Sequence, residues 1–112
     1  MTRPATVYSD ILDGGSGRLH CQLVVIDGPD RGRACRLTDR EIVIGTDPKC
    51  DLVLSDDRVS ARHLALAAVE SRFVVRDLES TNGTWYEGSQ ITEVTVPAGS
   101  TLLAGKTALR IE

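Results

Sequence analysis

Two short segments concentrate the side chains able to do chemistry. They are Val59-Ser60-Ala61-Arg62-His63 and Ser80-Thr81-Asn82-Gly83-Thr84. Ser60 and His63, three residues apart, are the one candidate nucleophile–base pair. Catalysis from them would need a nucleophile elbow and a third orienting group, and the sequence offers neither. Adjacent Asp56 and Asp57 do not face each other across a cleft and read as a solvated turn. No His/Cys/Asp/Glu cluster has metal-ligand spacing, and no glycine-rich nucleotide loop occurs. The sequence therefore predicts no catalytic residue, no metal and no cofactor. What remains is a set of hydrogen-bond donors. Ser60, Thr81 and Thr46 carry hydroxyls, Asn82 an amide, and Arg58 and Arg62 flank Ser60 with guanidinium groups. If the chain is extended there, both arginines project on the same side as Ser60. The plainer alternative for each is a solvated arginine, a self-bonded turn serine and an Asn-Gly hairpin turn.

The elements that must hold these residues read as strands. Leu19, Cys21, Leu23 and Val25 alternate with polar neighbours, the period of a half-buried strand. Asp27 to Gly32 is a turn signal. Further short strands are expected at Ala34–Leu37, Glu41–Gly45 and Leu52–Leu54. A long hairpin follows, Arg62–Val69 and Arg72–Leu78 around Glu70-Ser71. Trp85-Tyr86, Ile91–Val96, Thr101–Ala104 and Ala108–Ile111 complete the set. No segment sustains an apolar period of 3.6, so the class is all-β, with an antiparallel sandwich or barrel implied. Residues 1–17 end in Asp13-Gly14-Gly15-Ser16-Gly17 and are expected to form a flexible segment ahead of a domain spanning 18–112.

Composition narrows the function classes. A chain of 112 residues is one domain with room for a core. The net charge of −3 gives no field favouring nucleic acid, and no recognition helix is present. No apolar run approaches ~18 residues and no apolar leader opens the chain, so neither a membrane span nor a signal peptide is expected. Cys21, Cys35 and Cys50 have neither C-x-x-C nor zinc spacing and are expected to be buried free thiols of a cytoplasmic protein.

Gly45-Thr46, Ser60-Ala61-Arg62-His63 and Ser80-Thr81-Asn82-Gly83-Thr84 together resemble the forkhead-associated (FHA) family. The resemblance runs from about Leu19 to Ile111. It implies an FHA-like β-sandwich of two antiparallel sheets with about 10–11 strands, and loops at one end that read phosphothreonine. By that resemblance the phosphopeptide-binding residues are Thr46, Arg58, Ser60, Arg62, Thr81 and Asn82. Gly45, His63 and Gly83 support them, His63 as a loop brace. Gly45 would serve through positive φ or through close backbone approach.

Three positions depart from the family pattern. Thr46 stands where the family has arginine and cannot supply a charged fork. Ala61 replaces a residue that touches the ligand main chain. Glu87-Gly88 replaces a second Asn-Gly. The resemblance implies a phosphothreonine-containing partner, or such a segment of the parent protein. The Ile-Gly-Thr variant and Val24 to Gly32 are similar to FHA domains at the front of bacterial sigma-N-dependent activators, which would make this a transcriptional regulator's sensor. The rival reading is a phosphate-independent interaction or dimerisation module on the same sandwich.

Overall fold

The computed structural model describes residues 21–112. The expected flexible segment, residues 1–17, lies outside them, as does the expected start of the first strand. Eleven strands follow in the order β1 Cys21–Asp27, β2 Ala34–Leu37, β3 Ile42–Gly45, β4 Leu52–Val53, β5 Leu64–Val69, β6 Arg72–Asp77, β7 Thr84–Tyr86, β8 Ser89–Ile91, β9 Glu93–Val96, β10 Thr101–Ala104 and β11 Thr107–Ile111. They form a six-stranded sheet, β2-β1-β11-β10-β7-β8, and a five-stranded sheet, β4-β3-β5-β6-β9.

The two sheets share one core, as the period-two pattern requires. The first sheet contributes Leu23, Val25, Leu102, Leu109 and Ile111, the second Ile42, Ile44, Leu64, Leu66, Phe73, Val75 and Val96. All twelve are buried. The three cysteines are free, Cys50 buried and the others half-buried.

Two features differ from the sequence reading. Pairing is antiparallel except between β3 and β4, which run parallel with Ile44 opposite Leu52. The short β3–β4 connection holds because Asp51 bonds both backbone groups of Val43 on β3. Its backbone N–H donates to the Val43 carbonyl at 2.9 Å, and its carboxylate accepts from the Val43 N–H at 2.9 Å. The second difference lies at Ile91–Val96, expected as one strand. It is two strands in different sheets, with Thr92 at the crossing, where its carbonyl accepts from the Asp77 N–H at 2.8 Å. Ile91 and Val94 both pack on the core although their odd spacing would put them on opposite faces of one strand. That broken period was the available signal.

The Glu87-Gly88 departure proves conformationally conservative. Tyr86 pairs with Ser89, so the β7–β8 loop has two residues, with φ of 51° at Glu87 and 81° at Gly88. Both values suit the left-handed hairpin turn that Asn-Gly usually makes.

Candidate functional site

The loops β3–β4, β4–β5, β6–β7 and β10–β11 meet at one end of the sandwich, where backbone contacts join them. The Thr46 N–H donates to the Ser60 carbonyl at 3.1 Å and the Asp47 N–H to the Ala61 carbonyl at 3.1 Å. This close approach explains Gly45. A methyl group there would overlap the Ala61 carbonyl and lie 2.9 Å from the Ser60 carbonyl oxygen. Gly45 is required for space rather than for positive φ, which settles the alternatives left open by sequence. Gly83, by contrast, has a φ of 86°.

His63 stands behind these loops, fully buried. Its Nδ1 accepts from the Ser60 N–H at 3.0 Å, and its Nε2 lies 2.9 Å from the Gly83 carbonyl oxygen. A nitrogen that accepts from a backbone N–H carries no proton of its own. The neutral ring therefore holds its proton on Nε2 and donates it to Gly83. One imidazole thus ties the β4–β5 loop to the β6–β7 loop. Its main chain adds two ties, to the Ile44 carbonyl and from the Leu78 N–H, each at 2.9 Å.

The loops also touch at the exposed surface. The Ser60 Oγ accepts from the Thr81 N–H at 3.0 Å. Its acceptor role met, the hydroxyl retains its proton for an outside acceptor. The Asn82 amide donates to the Arg58 carbonyl at 2.9 Å, and the Asn82 carbonyl accepts from the Trp85 indole at 3.2 Å. Thr81, Asn82, Arg58 and Arg62 are exposed, and Ser60 and Thr46 are half-buried.

The structure thus brings Thr46, Ser60, Thr81, Asn82 and Arg58 together. The same-side argument for Arg58 and Arg62 fails, because residues 57–62 form a turn and bends rather than an extended run. Arg62 also precedes β5 instead of beginning it. The turn forms because Asp56 captures the Arg58 N–H at 2.9 Å and buried Val59 plugs the loop into the core. Among the described residues, neither guanidinium is held in a salt bridge.

Three carboxylates whose roles sequence reasoning missed anchor the loops from beneath, Asp30 and Asp56 buried and Asp77 half-buried. Asp56 is buried, not solvated, which corrects the expectation for the Asp56-Asp57 pair. It accepts from the Lys106 N–H and the Thr107 hydroxyl, each at 2.7 Å, and so pins the β4–β5 loop to the β10–β11 turn. Asp57 is the solvated member, 3.6 Å from the Lys106 ammonium. Lys106 therefore joins Arg58 at the rim, a cation brought near by folding alone. Asp30 holds the Ser55 N–H at 2.7 Å and its hydroxyl at 2.8 Å. Asp77 accepts from the Ser80 hydroxyl at 2.6 Å, the Thr84 hydroxyl at 2.8 Å and the Ser80 N–H at 3.1 Å. The Ser80 Oγ then accepts from the Gly83 N–H at 2.9 Å.

Burial by itself would raise the pKa of Asp56 and of Asp77. The donated hydrogen bonds outweigh it, and both carboxyls lie below the usual range. Asp77 was legible as an acid three residues before a turn serine. Asp56 was not, since its partners lie about fifty residues away.

Comparison with known proteins places this geometry. The chain is 36% identical over 114 aligned positions to FHA domain-containing protein FhaB of Mycobacterium tuberculosis, covering 99% of this chain and 74% of that protein. The chain belongs to the FHA-domain family. It is also 32% identical to the oxoglutarate dehydrogenase inhibitor of Corynebacterium glutamicum, over 94% of this chain and 71% of that protein. Residues 24–112 match the family model described as the cytoplasmic domain of an inner-membrane component of the type III secretion system. Among solved structures, an FHA domain from an analysis of phosphothreonine-dependent FHA interactions superposes with a TM-score of 0.76. It is 26% identical and covers 84% of this chain and 96% of that one. FHA domains are recognition modules, which agrees with a site made of donors and braces around an open surface. Among the described residues no helix is long and apolar enough to cross a membrane.

Proposed function

We propose that this FHA domain recognises a phosphothreonine-containing segment of a partner or of its own parent protein, in the cytoplasm. One observation carries the reading. The Ser60 hydroxyl is fixed by the Thr81 N–H with its proton left for an outside acceptor, on a rim that also bears Arg58 and Lys106. A phosphothreonine brings nearly two charges and three acceptor oxygens. Ser60 and the neighbouring cations supply the matching donors, and the exposed hydroxyl of Thr81 borders the same place. Asn82 adds an amide beside the ligand main chain. The phosphothreonine dependence of the related solved FHA domain supports the same reading.

One observation favours a phosphate-independent module instead. Thr46, with its N–H given to Ser60, presents a neutral hydroxyl where the family has a guanidinium. Calorimetry with matched phosphothreonine, phosphoserine and unphosphorylated peptides separates the readings. Preference for phosphothreonine is expected, and Thr46→Arg should tighten it by ~1–2 kcal/mol, roughly tenfold. Equal binding of all three peptides would establish the phosphate-independent reading. The finer role, a sensor gating a transcriptional regulator of the sigma-N-dependent class, rests on the resemblance of Gly45-Thr46 and Val24 to Gly32. Its test is whether phosphopeptide changes transcription from a sigma-N-dependent promoter driven by the parent chain.

A further inference from the structure

Three large hydrophobic side chains are exposed among the described residues, Val69, Trp85 and Leu103. Val69 borders the hairpin turn at the far end of the sandwich. Trp85 and Leu103 are neighbours, directly paired between β7 and β10. Residues directly opposite each other in an antiparallel ladder share a face. Leu103 pairs in turn with Ala108 on β11. Trp85, Leu103 and Ala108 therefore form one apolar row across the outer face of the six-stranded sheet. Trp85 is 37% exposed and Leu103 46%, so these two are open to solvent, while Ala108 at the other end of the row is buried. The row starts at the candidate site itself, because the Trp85 indole donates to the Asn82 carbonyl at 3.2 Å.

We propose that this row is a second subsite, which receives an apolar side chain of the same ligand that carries the phosphothreonine. The inference rests on the phosphothreonine reading and adds to it the chemistry of the flanking residues. Continuity decides the occupant. Four Cα steps separate Thr81 from Trp85, which limits the distance between them to about 15 Å. An extended peptide covers that span in about five residues. A segment held at Ser60 and Asn82 therefore reaches the row without leaving the surface. Leu, Ile, Met or Phe within about five residues of the phosphothreonine would cover the open indole edge and the Leu103 side chain.

The test uses the intact chain and phosphothreonine peptides with alanine at every flanking position. Leucine is then placed singly at each of about five positions on either side. Trp85 is the single tryptophan, so its emission reports the subsite directly. One leucine position should tighten binding about tenfold and shift the indole emission to the blue. Leu103→Ser, an exposed substitution compatible with folding, should abolish that gain and leave the alanine peptide's dissociation constant unchanged. Phosphate-dependent binding that is equal for all leucine positions, with unchanged emission, overturns the subsite and leaves the phosphothreonine reading standing. Absence of any phosphate-dependent binding overturns both. A dimer in solution that Leu103→Ser dissociates assigns the face to a second copy and likewise overturns the proposal.

Discussion

Replacing His63 should damage the fold more than replacing any ligand-facing residue. The imidazole is fully buried and both of its nitrogens are bonded, to the Ser60 N–H at 3.0 Å and the Gly83 carbonyl at 2.9 Å. His63→Ala removes two hydrogen bonds at about 0.5–1.5 kcal/mol each and opens a cavity, for a total of about 3 kcal/mol. At about 4–8 °C per kcal/mol for a domain of this size, the melting temperature should fall by roughly 12–24 °C. His63→Phe separates the two effects. It keeps the ring volume but leaves the Ser60 N–H and the Gly83 carbonyl without partners, a cost of about 2–4 kcal/mol. Ser60→Ala removes one acceptor from an exposed N–H and should cost no more than about 1 kcal/mol. Thermal denaturation of the three variants gives the order. A His63→Phe protein as stable as the parent would show that the ring acts by packing alone. Nitrogen NMR of the parent supplies an independent check, with Nδ1 unprotonated and Nε2 protonated in the neutral ring. The opposite tautomer would refute the bonding scheme.

Other perturbations have equally definite expected outcomes. Gly45→Ala should destabilise by about 1–3 kcal/mol, because its methyl meets the Ala61 carbonyl and the loops must separate; circular dichroism melts measure this. Glu87→Asn should stabilise by about 0.5–1 kcal/mol, since asparagine tolerates the left-handed conformation observed at 51° better than glutamate; denaturant midpoints check it. Acid should weaken the domain. Asp56 and Asp77 are depressed in the folded state, so the stability they contribute is fully present above the ordinary carboxylate range of about 3.9 and is lost as pH falls through their lower folded values. Asp77→Asn should flatten that acid limb of a stability–pH profile, and an unchanged limb would count against its anchoring role.

The all-β architecture was legible because burial follows period-two alternation, and Leu23 and Val25 lie inward as that pattern requires. The Glu70-Ser71 hairpin and the Ala34–Leu37 strand fall where the turn residues and alternation put them. Legibility failed where a long-range contact decides the conformation. The Arg58–Arg62 stretch has the polar, strand-compatible look of an extended run. It bends because Asp56 captures the Arg58 N–H and Val59 inserts into the core, and the long-range bonds of Asp56 to Lys106 and Thr107, which no local pattern reveals, fix the turn in place. The same contact turned an expected solvated acid into a buried one. Thr92 ends one strand and begins another in the opposite sheet without glycine or proline to mark it, and only the odd Ile91–Val94 spacing betrays the switch.

The two acids beneath the loops, Asp56 buried and Asp77 half-buried, bear on what the site can bind. Asp56 and Asp77 place two negative charges behind loops proposed to hold a dianion. Their own donors, two hydroxyls and a backbone amide at Asp77, and a hydroxyl and two backbone amides at Asp56, are neutral. Neutral donors stabilise a carboxylate without cancelling its field at a distance. Compensation for a phosphate would therefore have to come from the rim, from Arg58 and Lys106, both of them solvent-exposed. Exposed cations are screened by salt over about 10 Å at 0.1 M, whereas buried pairs are screened much less. Thr46, which stands where the family has arginine, adds no charge of its own. With threonine there, the domain is built for rigidity beneath and for salt-sensitive attraction above. On the proposed phosphothreonine reading, specificity would then depend more on Ser60, Asn82 and the neighbouring Trp85–Leu103 row than on charge.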